Sequence, residues 1–415
     1  MNIFTLIIIA ALALEFLLNT IADALNLKAL KHEIPPALAG VYKPDEYRKS
    51  QEYTRSRTRF GFVTSSFGLL IILLFWFTGG FNFLDQIVRS WGFGPIANGL
   101  YYIGILVIAY ELLTLPSSVY VTFVIEERFG FNRTTPRVFI TDRLKGLAIT
   151  ILLGGFVLAA ILVLFEYAGD YAWLYCWLTV TILTIVIQFI APIWIMPLFN
   201  KFTPMEPGEL KDAIQSYTRS TGYEVGNISV MDGSKRSTKA NAFFTGFGRT
   251  KRIALFDTLI SKHTIKELIA VLAHEIGHYK KKHVLWGILI SIAHTGLIFY
   301  LLSVLLGSSG LYQAFYMDHT SIYAGLLFFG LLYTPVEMVL SVALHMFSRR
   351  NEYAADRFAA QTAGEPESLV EALKKLSAGN LSNLTPHPFY VFLNYSHPTL
   401  LQRVQAIQRY NTQLK

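Results

Sequence analysis

Two histidines four residues apart, with a glutamate directly after the first, form the stretch His274-Glu275-Ile276-Gly277-His278. On a helix, positions i and i+4 share a face, so both imidazoles reach one metal ion, and Glu275, one residue round, lies beside the metal's open position. That layout suits hydrolysis. A catalytic zinc ion takes three protein ligands and a water whose pKa it lowers toward neutrality, and a nearby carboxylate takes the water's proton during attack on a carbonyl. Three fixed residues in five arise by chance in on the order of one chain in a hundred of this length. The elements around the motif must therefore decide.

The third ligand comes from Ser348-Arg-Arg-Asn-Glu-Tyr-Ala-Ala-Asp356, which follows an apolar stretch ending at Phe347. If helix continues through it, Glu352 and Asp356 share one face, level with His274 and His278. Glu352 then completes the ligand set, and Asp356 is placed to accept from a ligating histidine and fix its tautomer. The plainer reading of both acids is a solvated charge pairing with Arg349 or Arg350. Upstream, Thr264-Ile-Lys-Glu267 is a capping box that starts the histidine helix. Nothing from there to Lys282 breaks it and the next apolar stretch begins at once, so the two histidines sit at the end of a spanning helix or just before it. Gly277 marks close packing of another backbone. Before it, Pro207 opens an amphipathic helix with Leu210, Ile214 and Tyr217 on one face. Ile228 to Met231 reads as a strand, and Ala242 to Phe247 with Ile253 to Phe256 as a hairpin whose turn, Gly248 to Arg252, is rich in glycine and basic residues. Such a strand either serves a small structural sheet or holds an extended peptide by strand addition. The tail carries a helix from Pro366 to about Ser377, stopped by Gly379, and a last one from Pro398 that carries Arg403. His397 precedes it, and on residue type alone it reads as a surface histidine.

Of the 415 residues, 53% are hydrophobic and only 15% charged, against roughly 25% charged in an average soluble protein. Seven stretches are long and apolar enough to cross a bilayer: 3 to 25, 61 to 83, 101 to 124, 146 to 165, 172 to 198, 284 to 306 and 322 to 347. Basic residues mass after the first span, from Lys28 to Arg59, and after the third, from Arg128 to Lys145, whereas the alternate loops hold Arg89 and no other Lys or Arg. The positive-inside rule places the N-terminus outside and the 199 to 283 loop and C-terminal tail in the cytoplasm. The net charge of +8 thus serves topology and anionic lipid and calls for no nucleic-acid partner. The lone Cys176 falls in the fifth span, where packing is its role. Asp45 to Arg59 reads as a basic, solvent-facing helix. Glu15, Asn19, Glu111, Gln188, His294, Glu337 and His345 are polar at membrane depth, and together they favour a hydrated interior.

With these elements in place the chain resembles the zinc-dependent CAAX prenyl proteases, integral-membrane gluzincins. The matching residues are Asn241-Ala-Phe-Phe-Thr-Gly-Phe-Gly-Arg-Thr-Lys-Arg252 with Phe256-Asp-Thr258, the His274 to His278 core, Ser348 to Glu352 through Asp356, and Ser396-His-Pro398 with Arg403. The resemblance implies a mainly α, polytopic membrane protein in which seven transmembrane helices enclose a hydrated chamber, with a cytoplasmic zinc-protease region containing a small β-sheet. It divides the chain into 1–198 (spans one to five), 199–283 (protease region with the sheet and histidine helix), 284–347 (spans six and seven) and 348–415 (C-terminal region with the third ligand). It assigns one zinc ion to His274, His278 and Glu352, and general base and later proton donor to Glu275. Asn241, Ala242 and Phe243 fall on the strand that aligns substrate, Asp356 orients a ligand, and His397 and Arg403 line the site. His397 is placed to stabilise the oxyanion, since charge developing on the tetrahedral intermediate needs a donor beside the metal. The implied partners are a peptide or protein substrate, prenylated at a C-terminal cysteine, and the bilayer, with the protein a monomer. Short outer loops resemble a compact prokaryotic-type member, in the inner membrane if bacterial and in the endoplasmic reticulum membrane if eukaryotic. Two other readings are a quality-control metalloprotease of the heat-shock type, which has fewer spans, and a transporter or scaffold without enzymatic activity.

Overall fold

The computed structural model describes residues 2–31, 33–223, 225–245 and 252–414. Seven helices in it are long and apolar enough to cross a membrane: Ile3–Lys28, Pro44–Phe77, Pro95–Glu126, Pro136–Tyr167, Gly169–Phe199, His283–Leu306 and Ile322–Thr362. Their starts are set by local chemistry. Asn2, Thr135 and Ser321 accept from backbone N–H groups of the first turn, and Pro44, Pro95 and Pro136 occupy first-turn positions, where a missing N–H costs nothing. The expected basic helix over Asp45 to Arg59 is not separate. It is the N-terminal half of the second spanning helix, with Tyr47, Ser50 and Gln51 buried. That helix ends at Phe77, earlier than the apolar run suggests, because Gly79 turns the chain at φ 74° into a short helix, Gly80–Ser90.

This short helix and the Ser309–Gln313 helix close one end of the bundle. Trp76, Phe81, Phe315 and Phe328 are almost fully buried there, the last two rings stacked with centroids 3.8 Å apart. Asp85 is fully buried beside them. Its carboxylate accepts from Arg89 Nε at 2.7 Å and from the Tyr323 hydroxyl.

In the second, fourth and fifth spans only 6%, 6% and 0% of the most apolar window is buried within the protein, so these spans turn most of their apolar surface away from its core. Charged groups at membrane depth avoid lipid. Glu111 pairs with Arg143 at 2.8 Å, both side chains about 40% exposed, and His294 lies 3.0 Å from the Tyr333 hydroxyl and 3.3 Å from Glu337. Gln188 lines a small cavity with Thr181, Thr184, Ser291 and Thr295. Not every polar group takes part, for Asn19 bonds the carbonyl of Glu15 on its own helix. Cys176 is buried in the packing between spans, as expected of it.

A four-stranded sheet packs beneath the bundle. Its strands are β1 (Phe202–Pro204), β2 (Asn227–Met231), β3 (Ala242–Thr245) and β4 (Arg252–Phe256), in the order β1-β2-β4-β3. The pair β2 and β4 is parallel and the others antiparallel. The expected hairpin is present in its two strands, with Ala242 opposite Leu255 and Thr245 opposite Arg252, while residues 246–251 of its turn lie outside the described residues. One consequence matters for the site: among the described residues β3 is an edge strand, with no strand beside one side of its backbone. Ile253, Leu259, Leu272, Ile276 and Leu369 join the sheet, the histidine helix and the C-terminal helices into one core.

Candidate active site

The histidine helix runs from Ile265 to Lys280. Its start is the expected capping box, with Thr264 accepting from the N–H of Glu267 and the Glu267 carboxylate accepting from the N–H of Thr264. Gly277 lets it approach the seventh spanning helix. A Cβ at that position would lie 3.1 Å from Ala355 Cα and 3.2 Å from Ala355 O, so a larger residue would force the two helices apart. The seventh helix continues unbroken through Thr362 and carries Glu352 and Asp356 to the same level.

At this contact the side chains converge. His274 Nε2 and His278 Nε2 are 3.2 Å apart. Glu352 Oε2 is 3.4 Å from the first and Glu352 Oε1 3.2 Å from the second, and one ligand atom from each residue falls within 4.8 Å of the others. The two imidazole nitrogens and the carboxylate face one point, and Glu352 Oε2 is buried there without a hydrogen-bond partner. A cation held among these atoms satisfies all of them, so the donor set fits zinc, which favours imidazole and carboxylate in this number. Arg349, the competing partner for Glu352, instead donates to the carbonyls of Val391 and Tyr395.

Around the cluster each predicted residue has a definite place. Asp356 Oδ1 is 2.9 Å from His274 Nδ1, and Arg403 grips the Asp356 carboxylate with two bonds, Nε to Oδ2 at 2.8 Å and Nη2 to Oδ1 at 2.6 Å. His397 Nε2 is 3.3 Å from Glu352 Oε1, with its side chain 62% exposed to the cavity in front of the cluster, so the reading of an isolated surface histidine does not hold. The Ser396 hydroxyl lies 2.9 Å from His397 Nδ1, and burial pushes the His397 pKa down against the pull of Glu352. Glu275 lines the same cavity, of about 540 Å³, as do Asn241 and Ala242. Burial pushes the Glu275 carboxyl above the ordinary range, opposed by His274 and His278. Phe243 belongs to β3 by its backbone, and its side chain lies outside the described residues.

Two groups of residues had not been singled out by sequence. The histidine helix does not run on into the sixth span: Lys282 adopts φ 59° and starts a new helix at His283. His283 thereby turns back, its Nδ1 3.1 Å from His278 Nδ1. The second group holds β3 in place. Arg236 makes two bonds to Asp142, at 2.7 and 2.9 Å, and Lys239 Nζ contacts Glu126 at 2.8 Å and the Tyr53 hydroxyl at 2.9 Å. The segment entering β3 is therefore pinned to spans two, three and four at the ends nearest the sheet. The only sequence signal was a basic run, Lys235-Arg236-Ser-Thr-Lys239, whose partners are far along the chain.

Residues 23–201 match the family described as CAAX prenyl protease N-terminal, five membrane helices, and residues 204–411 match peptidase family M48. CAAX prenyl protease 1 of Saccharomyces cerevisiae is 35% identical over 408 residues, covering 92% of this chain and 89% of the relative. The homologue in Arabidopsis thaliana is 34% identical, covering 96% of each, and that in Homo sapiens is 32% identical, covering 90% of this chain and 88% of the relative. The crystal structure of S. mikatae Ste24p superposes with a TM-score of 0.91 at 35% identity, over 98% of this chain and 99% of that one.

Proposed function

The chain belongs to peptidase family M48, as a membrane metalloprotease of the CAAX prenyl protease type, and from that premise we propose that His274, His278 and Glu352 hold one zinc ion at which a peptide bond near the cytoplasmic face of the membrane is hydrolysed. The observation that carries this is the convergence of the three ligand atoms beside Glu275, at the wall formed by the start of β3. A zinc ion there supplies Lewis acidity, lowering the pKa of the attacking water and polarising the scissile carbonyl. The protein's own groups do the rest. An extended peptide adds to the free edge of β3 at Asn241, Ala242 and Phe243, which sets the scissile bond against the cluster. Glu275, raised by burial, takes the proton of the attacking water and returns it to the leaving amine. His397 Nε2–H donates to the oxygen on which negative charge develops. Asp356 accepts the Nδ1–H of His274 and keeps Nε2 free, and Arg403 neutralises Asp356 and lines the cavity.

We further propose that the substrate is a protein or peptide prenylated at a C-terminal cysteine and that the protein acts as a monomer, with its N-terminus outside and its zinc site and C-terminus cytoplasmic. The names of the relatives support the substrate, and the basic residues after spans one and three support the orientation. The four-part division at residues 198, 283 and 347 belongs to the same reading. Seven spans count against the smaller heat-shock type, and the ligand cluster counts against a scaffold. The test is incubation of the purified protein with prenylated and unprenylated forms of one CAAX peptide, with fragments identified by mass spectrometry. Cleavage of the prenylated form is expected, and Glu275→Gln should reduce it by about 10²- to 10⁴-fold with zinc content unchanged. Undiminished cleavage by that variant would remove Glu275 from the mechanism.

A further inference from the structure

His283 reaches the site only because the chain turns at Lys282, in a left-handed conformation that lysine rarely adopts. On a continuous helix, a residue five positions beyond His278 would lie about 140° round the axis from it. With the turn, the two rings meet edge to face, at an interplanar angle of 74° with centroids 5.1 Å apart, and Nδ1 meets Nδ1 at 3.1 Å. His283 lines the same cavity as the three clustered ligand residues.

Proton placement gives this contact a direction. A neutral imidazole that offers Nε2 to a metal carries its proton on Nδ1. For His274 that N–H meets Asp356 Oδ1 at 2.9 Å. For His278 it meets His283 Nδ1, which must then present its lone pair, so His283 is neutral with its proton on Nε2. We infer that His283 is a positioning residue of the zinc site: it accepts the Nδ1–H of His278 and fixes the tautomer and ring plane of that ligand, as Asp356 does for His274. The inference rests on the reading of His274, His278 and Glu352 as zinc ligands. The two ligating histidines would then be supported unequally, one by a carboxylate that strengthens it as a donor and one by a neutral ring.

The test measures zinc affinity of the purified full chain by competition with a chromophoric chelator, together with the absorption bands of the cobalt-loaded protein. His283→Phe keeps a ring but has no acceptor, whereas His283→Asn keeps an acceptor oxygen near the position of Nδ1. The phenylalanine variant should bind zinc about 10- to 100-fold more weakly and shift the cobalt bands, and the asparagine variant should recover most of both. Zinc affinity of His283→Phe within twofold of the parent would overturn the inference. So would an equal loss in both variants, which would point to ring packing rather than an acceptor. Thermal unfolding of the metal-free protein checks folding, and His283→Leu takes the place of the phenylalanine variant if that one does not unfold cooperatively. His278→Ala separates the two levels. If it loses zinc while His283→Phe does not, the inference alone falls; if it keeps stoichiometric zinc, the ligand reading falls and takes the inference with it.

Discussion

Asp356 is fully buried, and Arg403 is what makes its charge tolerable there. The guanidinium meets both carboxylate oxygens in a fork, a geometry that lysine cannot reproduce. Removing one partner of a buried ion pair leaves the other uncompensated, at a cost of about 3–5 kcal/mol. Arg403→Ala should therefore lower the stability of the protein by that order in thermal unfolding, and Arg403→Lys should restore only part of it. A loss no greater than that of an exposed arginine would mean that water or another group takes over Asp356. Residue type and spacing made the two histidines, Glu275, Glu352 and Asp356 legible as candidates from sequence alone, because His274 with His278 and Glu352 with Asp356 each lie one helical turn apart and Glu275 directly follows His274. His397 was not legible in that way. It stands outside any regular element, so nothing in its neighbours says which way it points, and only the family resemblance brought it to the site.

At the scale of elements, β3 is positioned from outside its sheet. Lys239 ties the segment before it to Glu126 and Tyr53 on the membrane helices, and the Thr258 hydroxyl holds the Lys239 carbonyl at 2.9 Å. Lys239→Met should loosen the edge strand without disturbing the zinc cluster. A partly exposed charged hydrogen bond is worth about 1 kcal/mol, so KM should rise roughly fivefold with kcat and zinc content nearly unchanged. A fall in kcat at constant KM would instead assign the contact to the chemistry. The helices themselves were readable where their signals are local: the capping box at Thr264, the apolar runs of the seven spans, and the continuation of the last span through Glu352. The break at Lys282 was not, since Lys280-Lys-Lys-His283 contains no glycine, proline or asparagine to announce a left-handed turn. Strand β1 escaped notice because three residues are too few to show alternation, and it exists by pairing with β2.

For the whole molecule, the aromatic plug and the buried Asp85 seal one end of the bundle, and the zinc cluster lies at the other. The proposed orientation puts the plug outside and the cluster in the cytoplasm. Epitopes fused to the two termini should be accessible from opposite faces of sealed vesicles, the N-terminal one from outside. Access to both from one face would overturn the seven-span topology. One helix joins the two ends. The seventh runs from Tyr323, bonded to Asp85 in the plug, to Glu352 in the cluster, with Pro335 inside it, a distance of about 44 Å at 1.5 Å per residue. Such a rod is longer than the roughly 30 Å hydrocarbon core, and it answers a change in bilayer thickness by tilting. Because His274 and His278 sit on a separate helix, packed on the seventh at Gly277, a tilt that this contact does not follow would move Glu352 relative to both. Hydrolysis in bilayers of graded acyl-chain length should accordingly pass through a maximum while zinc content stays constant, and a flat profile would mean that the helix slides without turning. On that account the lipid around this enzyme would act as a gauge for the geometry of its ligand cluster.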